Sequence, residues 1–205
     1  MFERSVLKSN AKQQLKGKWG LAIGSILVAQ LISSISSGSA NFFNSEGITL
    51  GLSLVNLLLS GVMTVGICRF TLNLATDKES AEFGDIFSGF RIYLKTLGIF
   101  LLMGVCVFLG ILLLIIPGII ISLMLSQAYY VLCDNNDMGV IESLKESASL
   151  MNGHKGEYLV LQLSFIGWGI LACLTLGIGF LWLIPYQQVT MANYYLALKN
   201  ENRGY

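Results

Sequence analysis

The 205-residue chain reads as all-α and polytopic: six transmembrane helices arranged as three hairpins, each hairpin preceded by a cytoplasmic interfacial amphipathic helix. Three observations predict that class. Hydrophobic residues make up 54% and charged residues only 12%, with a mean hydropathy of +0.68; soluble domains carry about 25% charged residues. The charges are segregated: residues 19–68 hold one, Glu46, and residues 96–133 and 158–198 hold none. Laid out as a single helix, each window would far exceed a hydrocarbon core of about 30 Å, so each suits two helices and a turn. Finally, the basic residues are one-sided. Arg4, Lys8, Lys12, Lys16 and Lys18 precede the first window; Arg69, Lys78, Arg91 and Lys95 separate the first two; Lys145 and Lys155 precede the third; Lys199 and Arg203 follow it. Retention of Lys and Arg on the cytoplasmic side places both termini inside. The turns near Glu46, Pro117–Gly118 and Gly177–Gly179 then lie outside.

The elements follow in order within one domain, 1–205. The expected spans are 19–37, 48–69, 96–116, 118–133, 158–175 and 180–198. A barrel is excluded, because its strands alternate apolar and polar and run only about 10 residues. The basic start, apolar stretch and SSISSGSA ending at Ala40 also resemble a secretory signal; the stretch is read as an uncleaved first span. Upstream of each hairpin lies an amphipathic segment. The first sets Arg4, Lys8, Lys12 and Lys16 in an i, i+4 row beside Val6, Leu7, Ala11 and Leu15. The second sets Phe83, Ile86, Phe87 and Phe90 on one face. In the third, Val140 or Ile141, Leu144, Ala148 and Met151 share a stripe, with Asp137 as the expected cap and Gly153 as a left-handed stop.

The junctions share one order: apolar residue, spacer, glycine, basic residue, aromatic. Leu15-Lys-Gly-Lys-Trp19, Phe87-Ser-Gly-Phe-Arg-Ile-Tyr93 and Met151-Asn-Gly-His-Lys-Gly-Glu-Tyr158 are read as elbows between a surface helix and a hairpin. Gly17, Gly89 and Gly153 let the chain turn. Basic side chains such as Lys155, and the polar His154, sit at the phosphates, while Trp19, Tyr93 and Tyr158 occupy the aromatic belt. Gly20/Gly24 and Gly169/Cys173/Gly177 are expected at close helix contacts.

The run from Asp134 to Tyr195 resembles an uncharacterised bacterial membrane family, domain of unknown function 975 (DUF975). The matching pieces are DNNDMGVIESLKESASLMNGHK, LQLSFIGWGILACLTLGIGFLWLIPY and Met191-Ala-Asn-Tyr-Tyr195; LKGKWG and PGIII are similar to the family too. The resemblance implies a multi-spanning bacterial membrane protein and supplies no catalytic residues.

Chemistry is sparse. The span interiors carry no charge, which disfavours a proton or ion path. His154 is the chain's one histidine and lies at the expected surface, so no metal site, cofactor or catalytic residue is expected. No HExxH, GxSxG or phosphate-loop motif is present. Cys68, Cys106, Cys133 and Cys173 form no CxxC and read as small apolar residues. The sixth helix is the most polar, and Gln187, Gln188, Thr190 and Asn193, with Gln162 and Gln127, form either interhelical glue or an uncharged polar groove. Arg4, Lys8, Lys12 and Lys16 are candidate contacts to anionic lipid. Two functional classes remain. One is a non-enzymatic lipid- or small-amphiphile-handling, transport-like module of the cell membrane. The other is a scaffold or accessory subunit docking a partner membrane protein or a second copy. The basic stretch is short and tethered, so nucleic acid is not an expected partner.

Overall fold

The computed structural model describes residues 3–39 and 46–203. The first outer turn expected around Ser39–Gly47 therefore falls largely outside the described residues. Among those described, the chain is helical without strands: α1 (Arg4–Leu15), α2 (Trp19–Ser39), α3 (Glu46–Thr76), α4 (Tyr93–Leu113), α5 (Ile115–Leu125), α6 (Ala128–Asp134), α7 (Val140–Leu150), α8 (Lys155–Leu163), α9 (Ile166–Leu174) and α10 (Phe180–Arg203). Two 3-10 segments, Lys78–Ser80 and Phe83–Ile92, link α3 to α4.

Among the described residues four stretches are long and apolar enough to cross a bilayer: Leu59–Thr76, Phe83–Leu112, Ile115–Asp134 and Lys155–Leu174. The pair Arg4–Leu15 and Trp19–Ile32, bent by 96°, would make a fifth. The sixth expected span, 180–198, is not among them, since its glutamines, threonine and asparagine lower its hydropathy. Instead α10 is central. Val189, Thr190, Met191, Ala192, Tyr194, Tyr195 and Leu198 are all buried. They pack among α3, α6, α7 and α8, where Tyr130 stacks on Tyr195 at 5.6 Å and Tyr158 on Tyr194 at 5.3 Å between ring centroids. Helices α4, α5 and α9 expose Phe108, Leu112, Ile116 and Leu174.

Two expected spans are broken. Helices α5 and α6 part at Ser126–Gln127, and α8 and α9 at Ser164–Phe165. In each break the serine hydroxyl turns back to a preceding carbonyl, Leu123 O or Leu161 O, a habit that bends helices. An amphipathic helix closes each break. From α7, Ser147 Oγ accepts from Gln127 N (3.1 Å) and donates to Met124 O (2.8 Å); from α1, Lys8 Nζ donates to Ser164 O (3.4 Å). Backbone groups freed in an apolar layer must find such partners.

Close helix approach uses other glycines than expected. A Cβ on Gly20, Gly24 or Gly169 would meet nothing within 4 Å. Tight contacts occur at Gly66 and Gly89, which clasp α3 to the Phe83–Ile92 segment, at Gly98 against Val140, and at Gly110 against Gly118. The expected stripe of that 3-10 segment is also divided. Ile86 is fully buried on α3, while Phe83, Phe87 and Phe90 are 43%, 41% and 48% exposed and form a row outside, Phe83 edge-on to Phe87 and Phe87 stacked on Phe90. At the start of α7 the Gly139 amide donates to Glu142 Oε2 (3.3 Å), and Asp137 lies two residues before this cap.

Candidate functional site

Helix α1 is amphipathic and docked. Leu7, Ala11 and Leu15 are buried against α3 and α10. Gln14 and Asn193 hold each other through both amide groups, at 3.2 and 2.6 Å, and Gln14 also donates to Ala75 O (2.9 Å). Periodicity puts Arg4, Lys8, Lys12 and Lys16 on the remaining face. Among the described residues none of the four pairs with a carboxylate. Burial, together with the neighbouring Arg4 charge, pulls Lys8 below the ordinary lysine range; its ammonium lies 4.3 Å from the centre of the Phe165 ring. Gly17, at φ +88°, then turns the chain into α2, with Trp19 as its first residue.

Beside this elbow lies a half-open cavity of about 390 Å³. Its walls are Lys12 of α1, Trp19 of α2, Trp168, Leu171 and Ala172 of α9, Thr175 and Gly179 of the following turn, and Trp182, Leu183 and Tyr186 of α10. The chain contains three tryptophans, and all three line this cavity. Its size falls in the usual range for small-molecule sites, about 300–1,000 Å³. The wall is apolar and aromatic with one cation, which suits a hydrocarbon chain carrying an anionic head.

The six polar residues read as either interhelical glue or a groove do not line this cavity. Their hydrogen bonds are made at separate places. Asn193 faces α1 through Gln14 and also donates to Val189 O (2.9 Å). Gln187 donates to Gln162 Oε1 (2.9 Å), and Gln162 to the Tyr158 hydroxyl (3.0 Å). Gln127 is fully buried and donates to Ser126 Oγ (3.0 Å), Thr190 donates to Tyr186 O (2.7 Å), and the Gln188 carbonyl accepts from Tyr130 (3.3 Å). Gln187→Leu should therefore cost about 0.5–2 kcal/mol of stability, read as thermal unfolding in bilayer discs, without changing amphiphile binding. Lost binding at unchanged stability would assign Gln187 to a ligand instead.

The other elbows differ in build. Gly153 has φ +84°, and the His154 carbonyl accepts from Tyr194 (3.1 Å). The His154 ring lies 3.5 Å from Glu157 and 3.8 Å from Glu201, Lys155 opens α8, and Tyr158 is buried. Gly89 serves close contact: a Cβ there would come within 2.4 Å of Val62 O. Tyr93, the first residue of α4, packs beside Ile86 and Val62. A second, polar cavity of about 320 Å³ lies between α6, α7 and α10, where Asp134 accepts from Tyr195 (3.2 Å) and pairs with Lys199. Sequence reasoning missed the tryptophan cavity. Its signal was three tryptophans, Trp19, Trp168 and Trp182, set far apart in the sequence.

A family model described as protein of unknown function (DUF975) matches residues 1–115 and 105–202. No curated protein and no solved structure matches the chain.

Proposed function

The chain belongs to the DUF975 family of proteins of unknown function, and from that premise we propose that it is a non-enzymatic membrane protein that holds an anionic amphiphile. The chain of the amphiphile lies in the tryptophan cavity and its head meets Lys12 and the row Arg4, Lys8 and Lys16. One observation carries this reading: all three tryptophans converge with an unpaired lysine on a single apolar cavity. The setting is the cell membrane, with three helical hairpins and both termini cytoplasmic, because the basic residues flank the hairpins at that end. α1, the Phe83–Ile92 segment and α7 lie in the interface. The exposed rings of Phe83, Phe87 and Phe90 beside Arg91 support that placement.

Intrinsic fluorescence reads the cavity directly, since no tryptophan lies elsewhere in the chain. In liposomes, brominated phosphatidylglycerol should quench it at a lower mole fraction than brominated phosphatidylcholine, and Lys12→Gln should narrow the gap. Equal quenching by both lipids would overturn the anionic preference. A second polypeptide retained on gentle extraction, together with quenching by neither lipid, would move the assignment to a docking scaffold.

A further inference from the structure

The tip of the third hairpin, between α9 and α10, is apolar and faces outward: Leu174, Leu176 and Ile178 are 77%, 95% and 58% exposed. Its polar groups are satisfied internally. Gly177 N donates to Ala172 O (3.1 Å) and Ile178 N to Thr175 O (3.2 Å). Thr175 Oγ1, the only side-chain polar atom in the tip, donates to Ala172 O (2.8 Å) and accepts from Gly179 N (2.9 Å). Such closure is common at helix ends, and in hydrocarbon it is required. Leu176 also adopts φ +56°, a conformation that costs a non-glycine residue energy. At 95% exposure it makes almost no contact within the molecule to offset that cost. Asparagine or glycine would suit a water-facing turn better.

Depth is the second observation. Helix α10 meets α1 at Val189, which packs in one cluster with Ala11, and at Asn193, bonded to Gln14. From Val189 back to Phe180 the helix rises only about 14 Å. Lys12 of α1 and Thr175 and Gly179 of the tip line the same cavity. With the α1 cations at the headgroups, the tip stops well short of crossing a core of about 30 Å. The stretch Lys155–Leu174 is long enough to cross. A full crossing would sink α1 and carry four cations without carboxylate partners into hydrocarbon.

We propose that the α9–α10 hairpin is re-entrant, ending near the bilayer midplane with Leu174, Leu176 and Ile178 against lipid chains, and returning to the side it came from. The proposal rests on the interfacial placement of α1, not on occupancy of the cavity. Where both hold, the cavity from Lys12 to Gly179 spans one leaflet, and its occupant is a lipid of that leaflet. Charge distribution is blind to the difference, because a re-entrant hairpin and a crossing one return the chain to the same face.

The test uses the full chain with its four cysteines replaced and single cysteines returned at Leu176→Cys or Lys12→Cys. In liposomes, a fluorophore at 176 should be quenched best by a nitroxide deep on the lipid chain and poorly by one on the headgroup. No membrane-impermeant maleimide should reach 176 from either face. Headgroup quenching at 176, or labelling there from the face opposite residue 12, overturns the re-entrant hairpin. Deep quenching at residue 12 overturns the placement of α1 and the re-entrant hairpin with it. Leu176→Asn in the otherwise native chain supplies a check that needs no label. In lipid discs it should lower the unfolding temperature, whereas an unchanged or raised value would put the tip in water.

Discussion

Gly66→Ala should leave little or no folded protein. The added methyl would lie 1.8 Å from the carbonyl oxygen of Ile86 and 2.5 Å from its carbon. Both atoms are backbone, so no rotamer change can relieve the clash. The 3-10 segment Phe83–Ile92 would have to lift off α3, exposing Ile86, which is fully buried, and straining one tie. Asn73 Nδ2 of α3 donates to Asp85 Oδ2 at 3.0 Å, an oxygen that also caps the start of the segment through the Glu82 amide. Overpacked cores usually lose about 1–3 kcal/mol; a backbone collision at a helix crossing should exceed that range. The measurement is the monodisperse yield and unfolding temperature in mild detergent, compared with Gly104→Ala, where a Cβ meets nothing within 4 Å. Wild-type stability of Gly66→Ala would mean that the segment is not seated on α3.

The second large effect concerns the basic face of α1. Arg4, Lys12 and Lys16 changed together to glutamine should weaken the preference for anionic over zwitterionic lipid by on the order of 10²-fold, since each cation near an anionic surface contributes about 1 kcal/mol. Lys8 stays untouched because its ammonium also holds Ser164 O and the Phe165 ring, so its loss would disturb packing as well as charge. The readout is competition between brominated and unlabelled lipids on tryptophan fluorescence at low salt. The difference between wild type and variant should shrink as salt shortens the range of the interaction. A preference unchanged in the triple variant would remove α1 from lipid recognition and leave its charges with topology alone.

Much of this molecule is legible along the chain, and the rest is not, for a definable reason. Low charge, its segregation into windows and the clusters of Lys and Arg determined the class: an all-helical protein with several helices apolar enough for a membrane. The elbow at Gly17 is a local property too, because glycine before a basic residue and Trp19 sets a turn within a few positions. The amphipathic face of α1 follows from the spacing of Leu7, Ala11 and Leu15. What tertiary structure alone decided lies between residues far apart in sequence. Gln14 bonds Asn193 across 179 positions, which ties the most polar helix to α1 within the core. Gly66 and Gly89 matter and Gly20 and Gly24 do not, because a glycine shows its partner only once two helices cross. The breaks at Ser126 and Ser164 are stable because Ser147 and Lys8 arrive from other helices to meet them. The cavity exists because Trp19, Trp168 and Trp182 come from three helices to one place. Hydropathy and charge act residue by residue and can be read in one dimension; shape and hydrogen-bond complementarity arise only when distant segments meet.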